Sequence, residues 1–222
     1  MHSQRELVSH LQRRGILKTE RIIRVLLETD RKLYCTKQSS QAYEDSPLGI
    51  NYGATISAPH MHAYCLEILK HKLQPGAKVL DVGSGSGYLT ACMARLVSPT
   101  GKVVGIDHIQ ELVDFSINNI LNDDPQMIHS KLVEMYVADG RHGFPLHAPY
   151  DCIHVGAATP TTPQLFIDQL KVGGMLVLPE GPEGGSQSLV SYEKMEGGKV
   201  VKNILFGVTY VPLTDRAHQL NR

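Results

Sequence analysis

Apolar residues recur at helical spacing in the first part of the chain. Positions 7, 8 and 11 carry Leu, Val and Leu on one face of a predicted helix, and Gly15 follows as a stop signal. A second helix is predicted over residues 19–28, with Thr19 as its N-cap. The residues expected on its buried side are Ile22, Ile23, Leu26 and Leu27.

Residues 30–57 break this pattern, because Ser, Tyr, Gly and Pro interrupt any regular spacing of apolar residues. A loop of that length inside a domain is usually functional or disordered, and we expect it to act as a lid that orders over ligands. A third helix is predicted from Pro59 to about Leu73, since proline suits the first position of a helix.

From residue 77 onward, short β-branched runs alternate with stretches of helical periodicity. Such alternation is typical of right-handed crossovers and of a parallel sheet that is covered on both faces. The predicted strands cover 78–83, 102–107, 131–140, 150–157 and 173–181, and the predicted helices cover 88–97, 111–120 and about 161–170. Two further predicted strands, 188–195 and 200–212, flank a turn at 196–199 and indicate an antiparallel hairpin.

These elements predict an α/β fold. It is Rossmann-like and doubly wound, with a mostly parallel sheet, a C-terminal antiparallel hairpin and an N-terminal helical extension. The 222 residues suit a single domain. Its expected parts are residues 1–73 (helices and a substrate and cofactor loop), 74–181 (a cofactor-binding core) and 182–222 (the hairpin and tail).

Charge and cysteine content exclude several classes of protein. Lys and Arg number 22 and so do Asp and Glu, so the chain lacks the basic excess of a nucleic-acid-binding domain. The four cysteines form no C-x-x-C pair, which favours reduced thiols. The first ten residues are mostly polar and lack the apolar region of a secretory signal, and no run approaches the ~18 apolar residues of a membrane span. We therefore expect a cytoplasmic protein with no nucleic-acid or membrane partner. The sequence shows no heptads and no large apolar stripe, so a monomer is expected.

A glycine-rich segment, DVGSGSGY at residues 81–88, joins the first strand of the alternating region to its helix. Glycines there let a ligand approach the backbone closely, beyond the carboxyl end of the strand. Gly83 and Gly85 match the first two positions of the dinucleotide fingerprint G-x-G-x-x-G, but the third falls on Tyr88. A tight turn without a ligand is the alternative interpretation of this segment.

Acidic residues end the next two strands. Asp107 can accept hydrogen bonds from a ribose diol, or it can cap the helix that follows. Asp139 and Gly140 can lie beside an adenine, or they can form a simple turn. All of these residues fall at the carboxyl ends of strands, which favours a nucleoside-bearing ligand. The absent third glycine favours S-adenosyl-L-methionine over a dinucleotide.

The segment VLDVGSGSGYLTA resembles the first motif of class I methyltransferases. A larger set of segments closely resembles the protein-L-isoaspartate (D-aspartate) O-methyltransferases of the animal type, from the first helix to Asp215. These segments are ATISAPHMHAY at residues 54–64, GIDHIQELVD, YVADGR, APYDCIHVGAA, QLKVGGMLVLPEG and YVPLTD. Residues 35–47 and the tail after Asp215 have no such match.

The resemblance implies an enzyme that methylates the free carboxyl of isoaspartyl residues in damaged proteins, from which a succinimide forms and opens to aspartate. It implies Ser57 as the catalytic residue and S-adenosyl-L-methionine as the methyl donor, with S-adenosyl-L-homocysteine as product. The cofactor-binding residues would be Ala54, Thr55, Ile56, Ser57, His60, Asp81, Gly83, Ser84, Gly85, Gly87, Asp107, His108, Asp139, Gly140 and Thr214. The substrate-binding residues would be Ser57, His60, Tyr210, Val211 and Pro212.

The chemistry of this reaction agrees with the residues. A carboxylate nucleophile has a pKa near 4 and is ionised at neutral pH, so no general base is needed. A hydroxyl at Ser57 can hold one carboxylate oxygen, although the same residue can also cap the helix that starts at Pro59. His60 and His62 are two positions apart on that helix and do not share a face, so no metal site is expected.

Three other functions stay open at this stage. A nicotinamide-dependent oxidoreductase would need the third fingerprint glycine, which Tyr88 replaces. A binding module without catalysis would hold the cofactor and transfer nothing. A methyltransferase for a small molecule would share the glycine-rich segment and lack the segment at residues 54–64.

Overall fold

The computed structural model describes residues 1–36, 40–161 and 164–221 of the chain. Two helices open the fold, α1 (Gln4–Arg13) and α2 (Glu20–Glu28), and both predicted helices are confirmed. The prediction that Leu27 is buried is wrong, since this side chain is 40% exposed and Val25 is buried instead. Val25 lies three residues from Ile22 and therefore shares its face of the helix.

The segment between α2 and the third helix is more regular than a long loop. A 3-10 helix covers Arg31–Tyr34, and two short strands, β1 (Leu48–Gly49) and β2 (Thr55–Ile56), pair as an antiparallel ribbon. Residues 37–39 of the predicted loop lie outside the described residues. Helix α3 (Pro59–Leu69) starts at Pro59 as predicted and ends before Leu73, which is buried in the turn that follows.

A seven-stranded sheet forms the centre of the molecule. Its strands are β3 (Lys78–Val82), β4 (Lys102–Asp107), β5 (Val133–Val137), β6 (Tyr150–Val155), β7 (Leu170–Glu180), β8 (Gln187–Lys194) and β9 (Val200–Val208). The helices between and after them are α4 (Tyr88–Val97), α5 (Gln110–Asp123), α6 (Gln126–His129), α7 (Gln164–Asp168) and α8 (Arg216–Leu220). The predicted α/β architecture with a terminal hairpin is confirmed.

Several boundaries differ from the predictions, most of them by one to three residues. The predicted strand 131–140 is paired only from Val133 to Val137, because the chain turns into a 3-10 helix at Gly140–His142. The predicted strand 200–212 ends at Val208. Helix α7 is shorter than the predicted segment 161–170, of which residues 162–163 lie outside the described residues.

The strand order places a topological switch point between β3 and β6. The order is β5-β4-β3-β6-β7-β8-β9, with parallel pairs from β5 to β7 and antiparallel pairs from β7 to β9. The chain thus builds outward from β3 on one side and from β6 on the other. In such sheets ligands bind beyond the carboxyl ends of the strands at the switch point.

Alternate residues of the strands belong to two separate hydrophobic cores, one on each face of the sheet. Val79 and Cys152 belong to the core beneath the N-terminal helices, while Leu80 and Ile153 belong to the core on the opposite face. This alternation follows from the two-residue period of a strand, and both faces of the sheet are consequently covered. Within the described ranges, every helix is too short or too polar to cross a membrane.

Candidate active site

A cleft of about 540 Å³ opens at the carboxyl edge of the sheet, above the switch point. This size suits a ligand as large as a nucleoside with an amino-acid arm. Most of the residues predicted for the site line it. They are Ala54, Thr55, Ser57, His60, Gly83, Gly85, Asp107, His108, Gly140, Tyr210, Val211, Pro212 and Thr214.

The three glycines of the loop after β3 all have positive φ angles, but their surroundings differ. A Cβ added to Gly83 would meet no atom within 4 Å, so this residue leaves the cleft open. Gly87 is the N-cap of α4, and an added Cβ would lie 3.1 Å from Ser116 and 3.2 Å from Ile120 on α5. Gly87 therefore permits close packing of two helices and does not line the cleft.

Asp107 ends β4 at the side of the cleft and is buried. Its two carboxylate oxygens each accept a backbone hydrogen bond of 3.2 Å, one from Gly85 and one from Ile109. Burial raises the pKa of this carboxyl, and the backbone donors act against the shift. Asp107 thus ties the glycine loop to the start of α5, and both predicted roles, ligand contact and local capping, are compatible with its position.

Three further predicted cofactor residues lie beneath the cleft surface instead of on it. Ile56 is buried in the hydrophobic core of the N-terminal helices. The Ser84 side chain is buried, and its hydroxyl has no hydrogen-bond partner within the described ranges. Asp81 is 1% exposed, and its carboxylate forms hydrogen bonds with other buried side chains. Its side chain points to the same face of the sheet as Val79, away from the cleft.

Of the two residues predicted to lie beside the adenine, Asp139 and Gly140, only one lines the cleft in the structure. Gly140 lines the cleft, whereas Asp139 does not. The Asp139 carboxylate instead accepts from the backbone N–H of Arg141 at 3.0 Å and pairs with the guanidinium of the same residue at 2.6 Å. These donors lower the pKa of Asp139 and hold the 3-10 turn that presents Gly140 to the cleft.

Ser57 lies at the mouth of the cleft in the short segment between β2 and α3. The N-cap position of α3 is Ala58, and no side chain caps this helix, so the Ser57 hydroxyl is not used for capping. The Tyr210 phenol is a neighbour of this hydroxyl, and its pKa is raised by burial and partly lowered again by Ser57. A hydroxyl has one donor and two acceptor positions, so Ser57 can contact a phenol and still donate its proton to a ligand.

His60 is oriented from the opposite side by an acidic residue of the N-terminal segment. Asp45 accepts from the His60 backbone N–H at 2.9 Å and contacts its ring Nδ1 at 2.8 Å. Arg14, which directly follows α1, pairs with the second oxygen of the same carboxylate at 2.7 Å. His62 points elsewhere and is buried against the ring of Tyr88, so the two histidines do face different surroundings.

The predicted substrate-binding residues 210–212 leave the hairpin before they reach the cleft. Tyr210 and Gln187 exchange hydrogen bonds of 2.7 and 3.2 Å, which turns the chain away from β8. The next residues pair with Ala158, which donates to Val211 and accepts from Leu213, both at 2.8 Å. This pairing brings residues 210–214 across the carboxyl edge of the sheet.

Sequence reasoning missed Gln219, which closes one end of the cleft from helix α8. Its side-chain oxygen lies 2.7 Å from Nε2 of His108, and its side-chain nitrogen donates to the carbonyl of Tyr52 at 3.0 Å. Gly53 and Gly156 also line the cleft without having been predicted. The tail carried no usable pattern, because a single amide side chain in a short polar helix gives no periodic signal.

The chain is similar to known proteins over nearly its whole length. The model of the family "Protein-L-isoaspartate(D-aspartate) O-methyltransferase (PCMT)" matches residues 2–218. Protein-L-isoaspartate O-methyltransferase 2 of Arabidopsis thaliana is 48% identical over 97% of this chain and 69% of its own length. The protein-L-isoaspartate O-methyltransferase of Triticum aestivum is 47% identical over 96% of this chain and 92% of its own length.

A solved structure agrees with these sequence matches. It is named for a protein-L-isoaspartate O-methyltransferase of Plasmodium falciparum in complex with S-adenosyl-L-homocysteine. It is 33% identical, with a TM-score of 0.88 over 96% of this chain and 99% of the other. With a family match across residues 2–218 and a common fold, the expected relationship is confirmed. This chain belongs to the protein-L-isoaspartate(D-aspartate) O-methyltransferase family.

Proposed function

We propose that the protein transfers the methyl group of S-adenosyl-L-methionine to the free carboxyl of L-isoaspartyl and D-aspartyl residues in damaged proteins and peptides. The product S-adenosyl-L-homocysteine then leaves. The backbone nitrogen of the next residue displaces methanol from the methyl ester to form a succinimide, which water opens to aspartate. One observation carries the proposal beyond family membership. The glycine loop, Asp107 and Ser57 come from three distant parts of the chain and line one cleft.

The lining of the cleft fits the methyl donor. Gly83 leaves open space where any other residue would place a Cβ, which suits close approach of an amino-acid arm. Asp107 would accept hydrogen bonds from the ribose, and Gly140 would face the adenine. Ala54, Thr55, His60 and Thr214 would complete the cofactor contacts. When bound, the donor supplies a methyl group on a sulfonium.

Ser57 would orient the isoaspartyl carboxylate. The carboxylate is ionised at neutral pH, so the protein's task is alignment and exclusion of water rather than proton removal. The Ser57 hydroxyl would donate to one carboxylate oxygen and leave the other free to attack. A neutral donor suits this task, since a cation at the same point would stabilise the nucleophile before reaction.

The substrate backbone would run beside residues 210–212. An isoaspartyl residue lengthens the backbone by one methylene, so recognition through main-chain hydrogen bonds suits any neighbouring sequence. We further propose that the chain is a single domain of residues 1–222 acting as a cytoplasmic monomer on isoaspartyl-containing proteins. Its three parts would be residues 1–73, 74–181 and 182–222, without nucleic-acid or membrane partners.

A paired-peptide assay tests the proposal. One peptide is prepared with isoaspartate and with normal aspartate at the same position, and both are incubated with methyl-labelled S-adenosyl-L-methionine. We expect label only on the isoaspartyl form, released as methanol by mild base, because a carboxyl methyl ester is base-labile. Cofactor binding without label on either peptide would contradict the proposal and favour a binding module.

A further inference from the structure

Asp81 and His154 form a buried ion pair beneath the cleft. The distance between the Asp81 Oδ1 and His154 Nδ1 atoms is 2.8 Å, and the two side chains are 2% and 8% exposed. The residues are register partners on β3 and β6, the two strands that flank the switch point. Neither side chain lines the cleft, so the pair has no direct contact with the ligand site.

Each member of the pair is also next to a helix. The second Asp81 oxygen, Oδ2, accepts from the Thr90 hydroxyl at 2.5 Å, and Thr90 lies on α4 directly after the glycine loop. The Cys65 thiol of α3, the helix that begins just after Ser57, is a neighbour of the His154 ring. A single pair of side chains therefore connects β3, β6 and α4 by hydrogen bonds and has α3 as its neighbour.

The charge state of His154 supports an ionic contact. Burial lowers the pKa of the imidazole, but the hydrogen bond to Asp81 and the neighbouring Cys65 thiol outweigh this effect and raise the pKa to about 10. His154 is thus an imidazolium at neutral pH, with two N–H donors available. The nearby His62 is held neutral, since burial lowers its pKa well below the ordinary value.

The floor of the cleft lies immediately beyond this pair. Gly83 follows Asp81 by two residues, and Gly156 follows His154 by two residues. The Gly156 N–H donates to the Val82 carbonyl at 2.8 Å, and a Cβ on Gly156 would lie 3.1 Å from the Gly83 carbonyl oxygen. The spacing of the two strand ends therefore sets the shape of the floor.

We propose that His154 is a positioning residue for the methyl donor, which through Asp81 clamps the carboxyl ends of β3 and β6 and thereby fixes the floor of the cleft. The clamp also sets α4 and α3 relative to that floor. Loss of the clamp would let the strand ends separate without exposing a new surface to the ligand. The effect would then appear in cofactor affinity rather than in affinity for the peptide.

The test is the binding of S-adenosyl-L-homocysteine to His154→Leu and His154→Gln, measured by calorimetry at a temperature where circular dichroism shows full folding. If the pair is coupled to the cofactor site with a typical coupling free energy, its loss should raise the Kd for S-adenosyl-L-homocysteine. We expect a rise of about tenfold in His154→Leu and about threefold in His154→Gln. Gln keeps one N–H donor for Asp81 but lacks the charge. The KM for an isoaspartyl peptide at saturating cofactor should change less than twofold.

Cys152→Ala is the matched control. Cys152 is fully buried, lies two residues before His154 on the same strand and points to the same face, but takes no part in the pair. We expect this variant to lower the melting temperature and leave the Kd unchanged. An unchanged Kd in both His154 variants, or an equal rise in Cys152→Ala, would overturn the proposal.

A double variant covers the case in which His154→Leu fails to fold. If the two side chains act as one unit, Asp81→Asn combined with His154→Gln should raise the Kd no more than the worse single variant. If the Kd increase of the double variant equals the product of the two single-variant increases, the residues act independently. That result would also overturn the clamp.

Discussion

At the scale of single residues, the glycines of the loop after β3 have different tasks despite similar backbone angles. Gly83 has a φ of +71° and Gly87 one of +80°, both in the region that favours glycine. Gly83 faces open space in the cleft, whereas Gly87 contacts Ser116 and Ile120 of α5. One glycine makes room for a ligand and the other makes room for a helix.

This difference predicts opposite outcomes for two alanine substitutions. Each should lose about 1 kcal/mol of stability to the backbone angle alone. Gly83→Ala should lose little more, but its methyl group occupies the cleft and should raise the Kd for S-adenosyl-L-homocysteine at least about tenfold. Gly87→Ala should lose a further ~1–2 kcal/mol from the clash with α5. Urea unfolding and calorimetry on both variants measure these changes, and equal effects on binding would contradict the assignment.

Ser57 provides the second prediction at this scale. Ser57→Ala should bind S-adenosyl-L-homocysteine with unchanged Kd, since most of the cleft lining remains. Its kcat should fall about 10- to 100-fold, the range expected for one hydrogen bond to a charged group. Tyr210→Phe is the control, because it removes the phenol hydroxyl next to Ser57 and keeps the serine hydroxyl. Wild-type turnover in Ser57→Ala would remove this residue from the mechanism.

The sequence predicts that Asp107 lines the cleft, but it does not predict that Asp81 is buried beneath the cleft. Both residues lie at or near the end of a strand, and both are acidic. The two residues differ in the side chain that faces them from a neighbouring strand. Asp81 is opposite His154 on β6, which lies 73 positions away in sequence. Only the sheet order brings these residues together, so the pattern around Asp81 carried no sign of its partner.

At the scale of elements, the β1–β2 turn and helix α8 close the cleft together. The turn contains three consecutive residues with positive φ, Asn51, Tyr52 and Gly53. Gln219 bonds the carbonyl of Tyr52, and the Gln219 carbonyl would lie 2.7 Å from a Cβ on Gly53. Gln219 and Tyr52 are 167 residues apart in sequence, a separation that local patterns do not report.

The contact predicts that Gly53→Ala weakens cofactor binding. The added methyl group would push α8 from the cleft and break the Gln219 hydrogen bonds, so the Kd for S-adenosyl-L-homocysteine should rise about fivefold. Gly15→Ala is a matched control, because Gly15 has a φ of +69° against +68° at Gly53 and no atom within 4 Å of an added Cβ. Both variants should lose about 1 kcal/mol of stability. Equal Kd values would mean that α8 does not contribute to the cleft.

Strand positions were predictable where a buried apolar run was strong, whereas most strand ends were not. The prediction for β4 agrees with the structure at both ends, since buried residues run to Asp107. The prediction for β9 extended to residue 212, because Tyr210 and Val211 are residues typical of strands. In the structure the Gln187 side chain takes the Tyr210 N–H, and a side-chain bond of this kind has no counterpart in hydrophobic pattern.

At the scale of the whole molecule, the cleft draws on residues from Pro47 to Gln219. Alternating strands and helices place the strand ends at one edge, and that much follows from sequence. The β1–β2 turn and helix α8 reach the same edge through side-chain contacts such as that of Gln219 with Tyr52. A ligand in the cleft would therefore contact residues 47–61 and the C-terminal segment as well as the ends of the central strands.

This geometry predicts where S-adenosyl-L-homocysteine slows amide hydrogen exchange. At 100 times Kd the ligand stabilises the folded chain by about 2.7 kcal/mol, which slows every amide that exchanges only by global unfolding. Amides that exchange by local opening respond only where the ligand holds the opening segment closed. Residues 51–57 and 209–219 should therefore gain protection together, since each segment contributes to the cleft lining.

Residues 71–77 supply the internal control for this measurement. They precede β3 at the opposite edge of the sheet and line a separate cavity with Lys171. Their locally exchanging amides should keep their rates when the ligand is added. Protection confined to the glycine loop would mean that the chain ends do not close over the ligand. Because exchange is read segment by segment, the same experiment separates closure of the cleft from a general gain in stability.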